Sequence, residues 1–191
     1  MELITIVEIG AVLTGLIWIV LLIKENIWCW IFGIISALLS IYLFYSAKLY
    51  SESILYIYYV FISLYGWYVW SQKGASDKRE VKTWRWHFHI LSIFIGIGLS
   101  YGLGSYFANN TDAQRPYLDA SSTIFSFIAN FMEARKLLYG WIYWIILNAF
   151  TVWLYIDRDI HIYAGLSALY FVLSIYGFIS WRRSYEAQRS T

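Results

Sequence analysis

One cysteine and one proline, Cys29 and Pro116, stand in a chain of 191 residues. A single cysteine excludes an intrachain disulfide and any cluster of cysteine ligands around a metal ion. Charge is scarce as well: 14% of the residues are charged, whereas a typical soluble domain has roughly 25%. The formal net charge of +2 gives no indication of a nucleic-acid partner, and we expect none.

Sequence signatures of enzymes are also missing. The chain contains no H-E-x-x-H, no G-x-S-x-G and no glycine-rich phosphate loop. His87 and His89 lie beside a basic loop without further ligand residues nearby, so we expect no metal site. We therefore predict that the protein is not an enzyme and carries no cofactor.

Apolar and aromatic residues are abundant. Hydrophobic residues make up 60% of the chain, including 11 Trp, 18 Tyr and 12 Phe. Uncharged runs of about 20 residues, long enough to cross a bilayer as helices, recur along the whole length. We predict an all-α integral membrane protein, a single transmembrane domain over residues 1–191 within the lipid bilayer. The seven predicted transmembrane helices are 4–23, 27–46, 52–71, 87–107, 117–134, 138–156 and 161–181.

The Lys and Arg residues are distributed unevenly over the loops. If the N-terminus is outside, the outer loops carry Lys48, Arg115 and Arg158, and the other eleven of the 14 lie inside. Such a positive-inside bias sets the orientation of membrane proteins. We predict an N-terminus outside the cell and a C-terminus in the cytoplasm.

The segment FISLYGWYVW at 61–70 resembles VLSIYGFISW at 172–181, at an ungapped offset of 111 residues. The same offset places Trp30 on Trp141. Chance similarity among aromatic-rich helices is the alternative explanation, but the ungapped register favours a true internal repeat.

The offset carries the first three helices onto the last three. The predicted repeats are residues 4–71 and 117–181, and the connecting helix is 87–107. Because one helix lies between the triplets, both start on the same side of the membrane. This predicts two parallel repeats related by an axis along the membrane normal, as in one group of transporters.

Polar side chains form one stripe along the fifth helix. Their spacings of three and four residues place them within about 60° of one another around a helix. Polar groups are costly against lipid tails, so we expect the stripe to face protein or water. The stripe consists of Asp119, Ser122, Ser126, Asn130 and Glu133.

Two tryptophans and an asparagine share one face of the sixth helix, which runs back past the fifth. A rise of about 1.5 Å per residue puts Asn130 near the level of Trp144. The two faces are therefore predicted to meet near the middle of the membrane and to form a binding site. The predicted site residues are Trp141, Trp144, Asn148, Asn130, Ser126 and Glu133.

Other residues have structural interpretations. Tyr56 and Tyr59 share a face of the third helix that we interpret mainly as packing surface, with these tyrosines as candidate cavity walls. Asn148 alone would join two helices by a hydrogen bond, and this alternative stays open. Tryptophans near helix ends are interpreted as anchors at the membrane interface. The expected anchors are Trp28, Trp67, Trp70 and Trp181.

Three parts of the chain resemble the PnuC family of bacterial vitamin transporters. They are residues 25–70, with their NIWCW and GWYVW blocks, YLDASS at 117–122, and W-x-x-W-x-x-x-N in the sixth helix. The resemblance implies a full-length SWEET-like fold, two three-helix bundles joined by a linker helix in a 3+1+3 order. It also implies a homotrimer in the bacterial inner membrane, with Trp141, Trp144 and Asn148 binding the substrate.

The resemblance implies a function too. The family takes up nicotinamide riboside, and relatives take up thiamine or riboflavin, by facilitated diffusion with trapping by phosphorylation in the cytoplasm. The chain departs from the nicotinamide riboside pattern at Tyr56, where Gln is usual, and at Asn130, where a longer amide is usual. Nicotinamide riboside and thiamine therefore both remain candidate substrates. The alternative from another class is a seven-helix receptor or sensor that binds such a ligand without transporting it.

Overall fold

The computed structural model describes residues 2–46, 50–72, 80–111, 115–157, 159 and 161–190. These residues form seven α-helices, one for each predicted transmembrane segment, so the all-α prediction is confirmed. The last helix continues to Arg189, beyond the predicted end at 181. The helices are α1 (Glu2–Ile23), α2 (Cys29–Ser46), α3 (Tyr50–Ser71), α4 (Trp86–Asn110), α5 (Pro116–Ala134), α6 (Gly140–Asp157) and α7 (His161–Arg189).

Within the described part of the chain, four helices are long and apolar enough by composition to cross a membrane. They contain the segments Leu3–Ile23, Cys29–Ser46, Trp86–Asn110 and Ala164–Arg189. The other three, α3, α5 and α6, have lengths of 22, 19 and 18 residues. Their tyrosines, tryptophans, serines and asparagines lower the hydropathy, as is typical of helices that line a polar interior.

The chain divides into two compact units, one of Met1–Glu80 with Glu186–Thr191 and one of Val81–Tyr185. In the first unit, α2 packs against both α1 and α3; in the second, α5 packs against both α4 and α6. The connecting helix α4 therefore belongs to the same compact unit as the second predicted repeat.

The turn between the first two helices of each repeat has the same hydrogen bonds. Glu25 and Lys136, at the offset of 111 residues, both have a φ angle of 54°. In each turn the next amide donates to a carbonyl five residues earlier, which is the Schellman pattern of helix ends. The two bonds are Asn26 N–H to Leu21 O at 2.9 Å and Leu137 N–H to Met132 O at 2.8 Å.

Each unit also contains the same perpendicular pair of tryptophan rings. Trp30 and Trp70 have ring centroids 5.4 Å apart at 87°, and Trp141 and Trp181 lie 5.5 Å apart at 87°. This agreement within each unit confirms the internal repeat. The anchor prediction is wrong for Trp70 and Trp181, which are 8% and 0% exposed because each packs against its partner tryptophan.

The other two expected anchors fit their predicted role. Trp28 is 57% exposed. Its ring meets the edge of Trp67 at 5.8 Å, and Trp67 is partly exposed. Both rings therefore remain accessible to the membrane interface, where amphipathic tryptophans are favoured.

A glycine stands below the first ring of each tryptophan pair. A Cβ atom added to Gly66 would lie 2.5 Å from atoms of Trp30, and one added to Gly177 would lie 2.5 Å from atoms of Trp141. No side chain fits at that distance. The glycines therefore permit the close approach of the helix carrying the ring, as small residues do in membrane proteins.

The contact between α4 and α5 depends on small residues that the sequence analysis did not single out. Gly96, Ser100 and Gly104 are buried at four-residue spacing on α4. A Cβ atom at Gly96 would lie 2.8 Å from the ring of Phe125, and one at Gly104 would lie 2.9 Å from the Cα atom of Tyr117. This small-x-x-x-small face lets the two backbones approach.

We expect Gly104→Ala to destabilise the second unit by about 1–3 kcal/mol, because the new methyl group meets backbone that cannot move aside. Gly102→Ala on the same helix is the matched control, since nothing lies within 4 Å of its Cβ position. That change should be neutral or slightly stabilising, because alanine favours a helix over glycine. Thermal unfolding in detergent measures both, and equal shifts would contradict the packing argument.

Candidate functional site

The polar stripe of α5 forms a ladder of hydrogen bonds along its own helix. The Ser122 hydroxyl donates to the Asp119 carbonyl at 2.9 Å, and the Ser126 hydroxyl donates to the Ser122 carbonyl at 2.7 Å. The Asn130 side-chain amide donates to the Ser126 carbonyl at 3.1 Å. The donors of Ser126 and Asn130 are thus occupied, and their oxygens remain available to accept bonds.

Glu133 ends the stripe at a position that is 0% exposed. Its carboxyl group interacts with the indole N–H of Trp144 on α6. The pair lies outside strict hydrogen-bond geometry, since Trp144 Nε1 makes no hydrogen bond to the residues that the structure describes. The stripe of α5 and the tryptophan face of α6 therefore meet, as predicted.

Asn148 joins α6 to α7. Its side-chain amide donates to the Ser174 hydroxyl at 3.1 Å, and that hydroxyl donates to the Tyr170 carbonyl at 2.7 Å. The helix-joining alternative therefore describes a bond that the structure contains. The Asn148 side chain also has a carbonyl oxygen that accepts no bond from the described residues, so contact with a ligand is compatible with this bond.

Trp141 is packed within the protein, at 0% exposure. Its ring lies over Gly177 and against Trp181, and Trp30 in the first unit has the same environment. This contact belongs to the repeated architecture. Ligand contact by Trp141 stays a prediction, and within the second unit Trp144 is the tryptophan of this face that retains partial exposure.

Tyr56 and Tyr59 lie on α3, in the first unit. The Tyr56 ring stacks on Phe44 at 5.1 Å and meets the edge of Tyr59 at 5.4 Å. Both rings take part in packing within that unit, as the sequence interpretation expected. Their role as cavity walls stays a prediction.

The two repeats differ in polarity at equivalent positions. In the first unit Ile19, Leu22 and Ala37 are buried at 4%, 0% and 1% exposure. The positions 111 residues later hold buried polar residues of the second unit, namely Asn130, Glu133 and Asn148, at 5%, 0% and 9% exposure. Buried polar groups are costly without partners, so their concentration in one repeat indicates a functional site there.

Ser174 is the residue of this region that sequence reasoning placed differently. Its position on α7 at four-residue spacing from Tyr170 indicated a packing face. The structure also makes it the acceptor for Asn148, at 0% exposure. A signal was available, because a membrane asparagine favours a hydroxyl partner on a facing helix.

Known proteins resemble this chain over most of its length. A family model described as "Nicotinamide mononucleotide transporter" matches residues 5–183. The nicotinamide riboside transporter PnuC of Escherichia coli K12 is 24% identical over 195 residues, covering 88% of this chain and 80% of that protein. The protein of the same name from Neisseria mucosa is 24% identical over 189 residues, covering 91% of this chain and 70% of that protein.

A solved structure shares the fold. The crystal structure of the vitamin B3 transporter PnuC superposes with a TM-score of 0.75 at 22% identity, covering 93% of this chain and 81% of that chain. The seven apolar helices and these matches define a multi-pass membrane transporter of bacteria, and the prediction that the protein is not an enzyme is confirmed. The chain belongs to the PnuC family, the nicotinamide mononucleotide transporter family of that model.

Proposed function

We propose that this protein takes up nicotinamide riboside by facilitated diffusion and binds it in the second unit. The proposal rests on one observation: the side-chain carbonyl oxygens of Asn130 and Asn148 accept no hydrogen bond from described residues, and both lie on the helices that carry Glu133 and Trp144. The site therefore offers acceptors, one carboxyl group and one aromatic ring. A flat cationic ligand with N–H and O–H donors matches all three.

Nicotinamide riboside has this chemistry, with a cationic ring, a carboxamide and ribose hydroxyls. The cationic ring would stack on Trp144, a contact worth about 0.5–2 kcal/mol. The carboxamide and hydroxyl donors would bond Asn130, Asn148 and the Ser126 hydroxyl oxygen. The name of the E. coli and Neisseria relatives supports this substrate.

Thiamine is the second candidate, and two sequence departures favour it. Tyr56 stands where the resemblance leads one to expect Gln, and Asn130 is a shorter amide than the expected Gln. Thiamine is also cationic, and its aminopyrimidine N–H groups suit an acceptor-rich site. Removal of a matched hydrogen-bond partner from a buried site can cost a ligand several kcal/mol, so these positions can set the choice between the two vitamins. Riboflavin, which carries no cation, fits less well.

Uptake into proteoliposomes tests the function. We expect labelled nicotinamide riboside to equilibrate across the membrane, without a requirement for sodium and without inhibition by a protonophore. Passive transport is expected because no carboxylate chain crosses the middle of the predicted spans. Binding without uptake would favour the receptor alternative, and accumulation of unmodified vitamin above the outside concentration would contradict facilitated diffusion. Thiamine in the same assay decides between the two candidates.

Trp144→Ala should weaken binding of the accepted vitamin by about 0.5–2 kcal/mol, because the aromatic face that attracts the cation is lost. Trp153→Ala on the same helix is the control, since Trp153 is 49% exposed and outside the candidate site. Calorimetry in detergent measures the two dissociation constants. Equal losses from both changes would show that Trp144 has no special role.

We propose that the N-terminus is outside and the C-terminus in the cytoplasm, from the distribution of positive charge. Several of the charged residues on which this depends lie outside the described residues: Lys48, Lys73, Lys78, Arg79 and Arg158. Reporter fusions at positions 74 and 191 should both report the cytoplasm. A periplasmic signal at either position would contradict the proposed orientation.

Two further parts of the proposal follow from the family resemblance. Phosphorylation in the cytoplasm would convert the imported vitamin to an anion that cannot return, which would draw net uptake through a passive transporter. Assembly as a homotrimer in the inner membrane is proposed on the same basis. Mass measurement of the detergent-solubilised protein tests the assembly.

A further inference from the structure

A partly open groove of about 790 Å³ runs along the second unit between α4, α5 and α6. One end is lined by Trp84, Trp86 and Tyr139, and the more distant wall includes Ser121 and Phe150. None of the predicted substrate-site residues lines it. The groove is therefore separate from the candidate site, although its size suits a small molecule.

The walls of the groove are mostly apolar. Isoleucine, leucine, phenylalanine and tyrosine side chains of three predicted transmembrane helices make up most of the surface. Within a bilayer such a surface is covered by other apolar groups, since water there would lack hydrogen-bond partners.

The length of the groove matches one leaflet of a bilayer. On α6 its lining extends from Tyr139 to Phe150, which is about 16 Å at 1.5 Å per residue. Half of a hydrocarbon core of about 30 Å is about 15 Å. An acyl chain that enters from one interface therefore fits along the groove.

The tryptophan-lined end is positively charged. Arg85, between Trp84 and Trp86, is exposed and is the N-cap residue of α4, where no side chain caps the helix. The first amides of a helix carry partial positive charge and bind phosphate when no cap satisfies them. Lys82 is also exposed nearby, on a segment fixed to the turn after α5 by two backbone hydrogen bonds of 2.9 Å.

A buried polar atom lies at the same end. His89 lines the groove, and its Nε2 atom is buried without a hydrogen bond to any residue that the structure describes. The ring meets the edge of Tyr139 at 5.4 Å, which holds it within the wall. A buried ring nitrogen without a partner is costly, and a phosphate or ester oxygen of a lipid would satisfy it when that nitrogen carries a proton.

We propose that this groove binds an anionic phospholipid, with one acyl chain along α6 and the phosphate at the N-terminus of α4. Apolar length, basic residues and an unbonded histidine nitrogen occur together at one site, and each matches one part of that molecule. In the orientation proposed above, the lipid belongs to the cytoplasmic leaflet. Basic sites between membrane helices on that side are known to suit anionic headgroups.

Photo-crosslinking tests the proposal with the full-length protein in nanodiscs. The probe is phosphatidylglycerol with a diazirine in one acyl chain, and a phosphatidylcholine with the same chain is the comparison. We expect adducts on peptides of α4, α5 and α6 that line the groove, with labelling by phosphatidylglycerol in clear excess. Native mass spectrometry should show phosphatidylglycerol retained in preference to phosphatidylcholine.

Two pairs of variants separate the headgroup from the acyl chain. Arg85→Gln should weaken retention of phosphatidylglycerol about fivefold, the effect of one basic residue near an anionic surface. Arg183→Gln is the matched control, because Arg183 is an exposed cation on α7. Ser121→Phe should reduce labelling by both lipids by filling the groove, whereas Gly98→Phe adds the same ring where nothing lies within 4 Å.

Three results would overturn the proposal. Equal retention of the two lipids would remove the anionic headgroup from the site. Adducts of equal yield on α1, α2 and α3 would indicate ordinary lipid contact on all faces. Crosslinks from groove residues to a second copy of the chain would show that a protein surface covers the groove. Circular dichroism and size-exclusion profiles verify that each variant is folded.

Discussion

Asn148→Ala is expected to weaken binding of the transported vitamin by about 1–3 kcal/mol, because a buried donor of the ligand loses its acceptor. The fold should persist for two reasons. Ser174 still donates to the Tyr170 carbonyl after the change, at 2.7 Å in the present structure. The equivalent position of the first unit is already alanine, Ala37, at 1% exposure. Calorimetry and thermal unfolding of the same preparation measure the two quantities.

Ser174→Ala is the control that separates the two roles of Asn148. It removes the bond between α6 and α7 but leaves the Asn148 carbonyl oxygen in place. If Asn148 contacts the vitamin, Ser174→Ala should change affinity much less than Asn148→Ala. Equal losses from both changes would mean that the asparagine acts only by joining the helices.

Gly177→Ala is expected to destabilise the protein by about 1–3 kcal/mol, because the new methyl group would overlap a fully buried ring. The Cβ position lies 2.5 Å from atoms of Trp141, and that ring is held on another side by Trp181. The indole has no free space to move into. Thermal unfolding should therefore show a lower midpoint.

Gly165→Ala is the matched change on the same helix. Nothing lies within 4 Å of the Cβ position of Gly165, so the higher helix propensity of alanine should stabilise this variant slightly. The two substitutions are thus expected to have opposite signs. Gly66→Ala in the first unit should resemble Gly177→Ala, since its Cβ position lies 2.5 Å from atoms of Trp30. A stable Gly177→Ala variant would contradict the packing argument.

The helices could be predicted well from the sequence, because charged residues, asparagines and the single proline bound the apolar runs. Pro116 begins α5, for example, where its missing N–H costs nothing. The end of α7 was predicted at 181 and lies at Arg189. Hydropathy ends where RRSYEAQR begins, but several of those residues favour helix in water too.

Burial of individual tryptophans could not be predicted from residue type alone. Trp70 and Trp181 stand near helix ends, where anchors are common, yet both are buried. The glycine four residues before each was the available signal, since Gly66 and Gly177 occur at the same offset. The small residues Gly96 and Gly104 on α4 were missed because apolar content conceals packing motifs in membrane helices.

The candidate site was predictable in part. Helical spacing identified the stripe of α5 and the face of α6, and the interaction of Glu133 with Trp144 brings them together. The spacing could not show that Trp141 turns into the packing against Trp181. It also could not show that Asn148 chooses Ser174 on α7, because that bond depends on the approach of a third helix.

The repeated turn and tryptophan pair give this protein an internal reference for its own evolution. One half keeps Ile19, Leu22 and Ala37 in a buried apolar setting, and it shows that the three-helix scaffold needs no polar groups there. After duplication, the second half was free to acquire Asn130, Glu133 and Asn148 at the corresponding positions. Stability and specificity are thus assigned to different copies of one design, so the ligand preference of the family can diverge while the scaffold stays the same.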